Sequence, residues 1–303
     1  MAIPDFQSFM LPMLRVVDVS GPVHMKDLKE RLAVELGLSQ QDLSEMLPSG
    51  TSSKFDNRIG WTRTYLKKAG LIEYASRGVY SITKAGKDIL GTGPKKIDIS
   101  LLDQFPGFLE FRTGKARGAT TIGAPESASV SVTPEESLES AYETLRGSLA
   151  NDVLSSLKSV SPAYFEQIVV DLIVRMGYGG TRADAGQAIG RSGDGGIDGI
   201  IKEDRLGLDA VYVQAKRWDN PVGRPEIQKF AGALQGHRAK KGVFITTSSF
   251  SSEARDYVSR IESRIVLIDG VQMADLMIDH GVGVNTIATY EVKRLDSDYF
   301  DEK

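Results

Sequence analysis

The sequence contains no cysteine and only three histidines in 303 residues. The absence of cysteine excludes disulfide bridges, thiolate nucleophiles and zinc sites built from cysteine. His24, His237 and His280 lie too far apart in the sequence to form a local pair of metal ligands. Any metal ion that the protein holds must therefore be bound mainly by oxygen atoms.

Long apolar segments are also absent from the sequence. No hydrophobic run approaches the roughly 20 residues that cross a bilayer, and the first residues lack the basic and then apolar layout of a signal peptide. The composition, with 41% hydrophobic and 25% charged residues, is that of a globular protein long enough for two domains. We therefore expect the protein to be cytoplasmic and not to associate with a membrane.

Charge is distributed unevenly along the chain, although the net charge at pH 7 is only −3. Residues 52–87 contain eight Lys or Arg and two acidic residues, whereas residues 135–303 contain 20 basic and 26 acidic residues. The basic segment is the candidate for contact with a polyanion. The acidic half supplies the carboxylates that a site for a hard divalent cation requires.

Residues 1–91 show the pattern of a winged-helix domain of mixed α and β structure. Apolar residues at helical spacing predict successive helices over residues 5–18, 25–36, 40–47 and 54–69. A hairpin with Arg77 at its tip and a short closing helix are predicted to follow. A helical region that ends in a two-stranded wing is the layout of a winged helix.

The basic helix of this domain is its predicted DNA-contacting element. Trp61 and Tyr65 are interleaved with its basic residues, which is typical of a helix that enters the major groove while the wing lies on the backbone. The alternative is an ordinary surface helix that carries scattered lysines. The predicted DNA-contacting residues, four on the helix and one at the wing tip, are Lys54, Arg58, Arg63, Lys67 and Arg77.

A linker region is predicted over residues 92–134. Residues 114–134 are rich in Gly, Ala, Ser, Thr and Pro without sustained periodicity, which predicts a flexible segment. Residues 97–111 are apolar enough to dock on one of the domains. At the other end of the chain, residues 291–303 are predicted to form an acidic tail.

Residues 135–290 are predicted to form an α/β domain with a mixed sheet flanked by helices. After a long helix that ends near Val160, the pattern predicts a helix, three strands, and then a helix, strand, helix, strand and helix. Short turns join the first three strands, of which Tyr178–Ile189 is weakly marked, and crossover helices join the later ones.

Polar residues of this domain are concentrated on a predicted hairpin, with strands over residues 197–203 and 208–216. Because side chains alternate along a strand, Gln214 and Lys216 share one face of the second strand. The first strand can bring the Asp198 carboxylate beside them. By this arrangement a nuclease holds a divalent cation and an attacking water against a phosphodiester.

Simpler interpretations apply to parts of this stretch. Asp194 and the glycines around it are compatible with a tight turn alone, and the polar strand face is compatible with ordinary exposure to solvent. A calcium-binding loop fits poorly, because Arg205 stands where a bidentate Glu is required. A phosphate-binding loop is excluded because no Gly-Lys-Ser/Thr sequence occurs.

Four motifs together resemble the Mrr-like branch of the restriction-endonuclease superfamily: Phe165-Glu166, Gly193-Asp-Gly-Gly-Ile-Asp-Gly, Gln214-Ala-Lys216 and Phe230-Ala-Gly-Ala-Leu. In that branch, Gln replaces the usual acidic residue of the Asp...Asp/Glu-x-Lys motif. The resemblance covers residues 160–285, and the N-terminal domain is similar to the DNA-reading half of these enzymes. It implies a restriction-endonuclease-like fold for the second domain.

The resemblance also implies a magnesium-dependent endonuclease that cleaves double-stranded DNA carrying methylated bases. Because double-strand cleavage cuts two strands, we expect at least a dimer. By motif match, Asp198 is a metal ligand, Gln214 occupies the second ligand position, and Lys216 orients and activates the water. Glu166 is an accessory carboxylate, and the backbone carbonyl of Ala215 can supply one more oxygen. Two alternatives stay open: a structure-selective nuclease or junction resolvase, and a DNA-binding regulator that no longer cuts.

Overall fold

The structure is a computed structural model that describes residues 3–113, 131–178, 196–202 and 209–293. By its internal contacts the chain divides into two compact units, Met1–Thr144 and Leu145–Lys303. Of the helices in the described ranges, none combines the length and the apolar composition needed to cross a membrane. Several predicted features lie wholly or largely outside the described residues: the strand Tyr178–Ile189, the turn at Asp194, the hairpin turn before Leu208, the flexible part of the linker and the acidic tail.

The first unit contains helices and a small antiparallel sheet. A 3-10 turn over Phe6–Phe9 is capped by the Asp5 carboxylate, which accepts hydrogen bonds from the N–H groups of Gln7 and Ser8. The other elements are α1 (Met10–Ser20), β1 (Val23–His24), α2 (Met25–Glu35), α3 (Gln40–Ser44), α4 (Lys54–Lys68), β2 (Ile72–Ser76), β3 (Val79–Ile82), α5 (Lys84–Gly91), α6 (Ile99–Leu102) and α7 (Pro106–Thr113).

The helices and the wing of the first unit follow the order that the sequence predicts. Strands β2 and β3 form the expected hairpin, and β1 adds a third strand on the other side of β3. This third strand was not predicted, because a strand of two residues is too short to show alternation. Helix α4 buries the predicted inner stripe of Phe55, Ile59, Thr62 and Leu66.

The apolar part of the predicted linker docks on this core. Ile97, Leu102 and Phe108 are buried in the same cluster as the side chains of α1 and α4. The Phe108 ring contacts Tyr65 of α4 edge-on, with the ring centroids 5.2 Å apart. Residues 97–111 therefore belong to the first unit, as their composition suggested.

The second unit is built on a mixed sheet. Its elements are the remainder of α8 (Pro134–Ser159), α9 (Pro162–Arg175), β4 (Gly199–Lys202), β5 (Ala210–Lys216), α10 (Arg224–Gly236), β6 (Lys241–Thr246), α11 (Ser252–Val258), β7 (Arg264–Ile268) and α12 (Gly270–Asp279). The strand order is β4-β5-β6-β7. Strand β4 is antiparallel to β5, whereas β5, β6 and β7 run parallel. The predicted mixed sheet flanked by helices is confirmed.

Helices cover both faces of this sheet. On one face, Val213, Ala215 and Ile245 pack against α8, α9 and α12. On the other face, Phe244 packs against α10 and α11, and the centroid of its ring lies 5.6 Å from the ring centroid of Phe230. Because both faces are covered, β5 is buried along most of its length, and its Gln214 side chain is almost fully withdrawn from solvent.

Candidate active site and nucleic-acid interface

The pairing of β4 with β5 places Asp198 beside the end of β5. Gly199 lies opposite Val213 in the antiparallel register, and the backbone N–H of Asp198 donates to the Val213 carbonyl at 2.8 Å. Asp198 is therefore fixed immediately before β4, next to the residues that follow Val213. Asp198 and the Gln214-Ala-Lys216 segment therefore lie side by side, as the strand pattern predicts.

The Asp198 carboxylate is held by groups of β5. Its Oδ2 atom accepts hydrogen bonds from the Gln214 side-chain nitrogen and from the Ala215 N–H, the latter at 2.7 Å. Gln214 is only 3% exposed. The sequence pattern left ordinary solvent exposure of this face open, and this burial removes that possibility for Gln214.

Gly196 allows the backbone to pass close to Gln214. Its φ angle is +103°, which residues other than glycine rarely adopt. A Cβ atom at this position would lie 3.1 Å from the Gln214 Oε1 atom. One glycine of the predicted turn thus has a structural role at the site.

Glu166 of α9 lies within electrostatic reach of this pair. Burial raises the pKa of its carboxyl group, the negative charge of Asp198 raises it further, and the Lys216 ammonium partly opposes these effects. The structure therefore brings Glu166, Asp198 and Lys216 into one electrostatic neighbourhood. A divalent cation would relieve the repulsion between the two carboxylates.

The end of β5 is held by a run of hydroxyl groups that the sequence interpretation did not include. The hydroxyl of Thr246, which is fully buried, donates to the Lys216 carbonyl at 2.8 Å. Thr247 and Ser248 donate in the same way to the carbonyls of Trp218 and Asp219, at 2.8 and 3.1 Å. We call Thr246, Thr247 and Ser248 the hydroxyl clamp. Its signal in the sequence is the row of hydroxyl residues that follows a buried strand.

The oxygen atoms at this site suit a hard cation that takes only a few of its ligands from the protein. Among the described residues, no three or more Asp, Glu or His side chains gather in a way that could hold a metal ion. The neighbourhood offers two carboxylates, Asp198 and Glu166, with neutral oxygens of Gln214 and Ala215, and magnesium accepts such a set because it keeps several waters. Gln214 presents its amide nitrogen to Asp198, so its oxygen serves as a ligand only in the opposite amide orientation.

The five predicted DNA-contacting residues fall into two groups. Arg63, Lys67 and Arg77 lie on or beside the wing, whereas Lys54 and Arg58 lie toward the other end of α4. Lys54 forms an ion pair with Glu45. Arg58 is engaged within the first unit: its Nη1 donates to the carbonyls of Ile3 and Pro4, and its Nε and Nη2 bind the Glu136 carboxylate.

Two tyrosines of the wing contact two cations of the first group, Lys67 and Arg63. Tyr74 and Tyr80 lie directly opposite each other in the hairpin, with ring centroids 4.8 Å apart. The Lys67 ammonium is 3.6 Å from the Tyr74 ring centroid, and Arg63 donates to the Tyr80 hydroxyl at 3.3 Å. Burial raises the pKa of Tyr80 to about 12. Tyr74 is 51% exposed, so it is available to a ligand of the wing.

Comparison with known proteins agrees with both halves of this description. A family model described as "Mrr N-terminal domain" matches residues 6–92, and one described as "Restriction endonuclease" matches residues 157–277. The chain is 40% identical over 308 residues to the type IV methyl-directed restriction enzyme EcoKMrr of Escherichia coli strain K12. The match covers 99% of this chain and 100% of that enzyme.

Two solved structures also show similarity. One is the MspJI restriction endonuclease in complex with a 27-mer oligonucleotide, at 17% identity over 66% of this chain and 47% of that chain, with a TM-score of 0.27. The other is the DNA modification-dependent restriction endonuclease AspBHI, at 18% identity over 70% of this chain and 56% of that chain, with a TM-score of 0.34. The chain spans about half the length of each.

The family assignment rests on the sequence matches. The E. coli relative is matched along its whole length at 40% identity, and the two family models match one segment in each half of the chain. The resemblance to the Mrr-like branch is thereby confirmed. This chain belongs to the Mrr family of restriction endonucleases, enzymes that hydrolyse phosphodiester bonds in DNA.

Proposed function

We propose that this protein is a magnesium-dependent endonuclease that cleaves double-stranded DNA carrying methylated bases. The observation that carries the proposal is the fixed pair of Asp198 and Gln214, with Lys216 and Glu166 in the same electrostatic neighbourhood. The methyl-directed activity in the name of the E. coli relative supports the choice of substrate. The protein would meet such DNA in the cytoplasm.

Each residue of the site has a role in this proposal. Asp198 and Glu166 would hold the cation, together with the carbonyl of Ala215 and, in its opposite amide orientation, the side-chain oxygen of Gln214. The bound cation supplies Lewis-acid polarisation of the phosphate and lowers the pKa of a water. Lys216, at the half-buried end of β5, orients the attacking water and counters the negative charge that develops on the phosphate.

The first unit supplies DNA binding. Arg63, Lys67 and Arg77, with the exposed ring of Tyr74, form a cationic and aromatic surface at the wing that suits the DNA backbone. Cutting both strands of a duplex requires two cleavage events at one locus, so we also propose that the protein acts as at least a dimer.

The test uses one plasmid prepared in two forms, with and without base methylation, incubated with purified protein in magnesium or in excess chelator. We expect cleavage of the methylated form in magnesium and of neither form in chelator. Equal cleavage of both forms would contradict the dependence on methylation. Cleavage in chelator would contradict the dependence on metal.

A further inference from the structure

The beginning of α8 covers one side of α4. The Thr133 hydroxyl donates to the Asn57 side-chain oxygen at 2.6 Å, and Thr133 is fully buried. One turn along α4, the Trp61 indole N–H donates to Glu135. Arg58 Nε donates to Glu136 at 2.8 Å, and its Nη2 lies 2.7 Å from the same oxygen. All of these contacts lie within the first unit.

Three carboxylates on the start of α8 form what we call the acidic turn: Glu135, Glu136 and Glu139. Glu139 lies one turn beyond the other two and is a neighbour of both on the helix surface. The Glu136 side chain is 9% exposed, and that of Arg58 is 15% exposed. The Oε2 atom of Glu139 is buried and has no hydrogen-bond partner among the described residues. The acidic turn is thus largely withdrawn from water.

The surface of α4 that contacts the acidic turn has the hydrogen-bond donors of an anion-binding site. Arg58 Nη1 donates hydrogen bonds to the carbonyls of Ile3 and Pro4, at 2.6 and 2.8 Å, and these bonds fix the plane of the guanidinium. Its Nε and Nη2 edge is left for the anion, and this edge binds carboxylate and phosphate oxygens in the same geometry. Asn57 and Trp61 flank that edge on the side of α4 that α8 covers, and their side-chain N–H groups are further donors for an anion.

We propose that the Asn57, Arg58 and Trp61 surface of α4 binds the DNA backbone, and that the acidic turn occupies it in place of phosphate. DNA and the acidic turn then compete for one surface. This inference rests on the proposed function, because it requires that the chain binds DNA. It assigns Asn57 and Trp61 as DNA contacts, and it makes Glu135 and Glu136 residues that lower the affinity for DNA until the turn is displaced.

The first test compares two charge-matched variants of the full chain. Glu135→Gln/Glu136→Gln removes two charges from the acidic turn, and Glu35→Gln/Glu143→Gln removes two from exposed positions of the same unit. Affinity for one methylated duplex is measured by fluorescence anisotropy. We expect the first variant to bind about tenfold more tightly than the control, the size of a typical coupling between competing sites. Affinity equal to or weaker than that of the control would overturn the inference.

The second test needs no substitution and holds even if the first variant is unfolded in a melting curve. Hydrogen exchange of the wild-type protein is followed with and without saturating methylated duplex. Displacement predicts faster exchange of the backbone amides of residues 135–141 in the complex. Unchanged or slower exchange there would overturn the inference while leaving the proposed function intact. Failure of the wild type and control to bind any duplex would instead contradict the proposed function.

Discussion

The Asp198 carboxylate accepts a hydrogen bond from the side-chain amide of Gln214, which is almost fully buried. An amide can donate to Asp198, whereas a carboxylate at this position would repel it. Gln214 therefore orients Asp198, and it contributes a dipole in place of a full charge to any bound cation. The site should depend on magnesium in a different way from one with two adjacent carboxylates.

Gln214→Glu tests this relationship. The new carboxylate replaces a donor by a like charge next to Asp198 in a buried position, so we expect the melting temperature in chelator to fall. Magnesium should restore it, because a cation neutralises both groups. Melting curves with and without magnesium provide the measurement. A variant whose melting temperature responds to magnesium no more than that of the wild type would contradict the placement of Gln214 at the metal.

Glu166→Gln tests whether the half-buried carboxylate on α9 serves the same cation. With one charge fewer, we expect the magnesium concentration at half-maximal cleavage to rise by about three- to tenfold. Gln214→Glu in the same background should recover part of that loss, and the two effects should be non-additive. The exposed Glu262→Gln is the control. Strictly additive effects, or a midpoint for Glu166→Gln equal to that of the control, would remove Glu166 from the site.

Lys67→Ala tests the wing surface. Lys67 is held over the Tyr74 ring, beside Arg63, and a contact with one phosphate contributes about 0.9 to the slope of log affinity against log salt. We expect weaker binding to all duplexes and a slope reduced by about one. Lys87→Ala, an exposed lysine of the same unit, should leave the slope unchanged. Identical slopes for the two variants would place the phosphate contacts elsewhere.

Thr246→Val tests the hydroxyl clamp. The substitution keeps the shape of the side chain but removes the hydrogen bond to the Lys216 carbonyl, which then retains the Thr247 N–H at 3.2 Å. We expect the maximal cleavage rate to fall by roughly tenfold while DNA affinity is unchanged, because the end of β5 positions Lys216. Thr246→Ser, which keeps the hydroxyl, should restore the rate. A fully active Thr246→Val, or a Ser variant as slow as it, would show that the clamp has no part in positioning Lys216.

The strand pattern was sufficient to bring Asp198 and Gln214 together, because the pairing of adjacent strands and the alternation of side chains are local rules. It did not predict the burial of Gln214, which depends on α10 and α11 covering that face of the sheet. The ion pair of Arg58 with Glu136 joins residues 78 positions apart, and the Thr246 bond joins residues 30 apart. No local periodicity encodes such pairs, so a basic residue on α4 was predicted as a DNA contact without its internal partner.

The assignment of Lys216 to phosphodiester cleavage is tested most directly by the rate at which Lys216→Ala cuts methylated plasmid in saturating magnesium. Lys202→Ala, an exposed lysine on the neighbouring strand β4, is the matched control. We expect Lys216→Ala to cut at least about 1000-fold more slowly than the wild type, since it removes the charge that stabilises the transition state. Its affinity for DNA should stay within about twofold of the wild-type value, and Lys202→Ala should cut normally. Cleavage by Lys216→Ala at the wild-type rate would contradict the site.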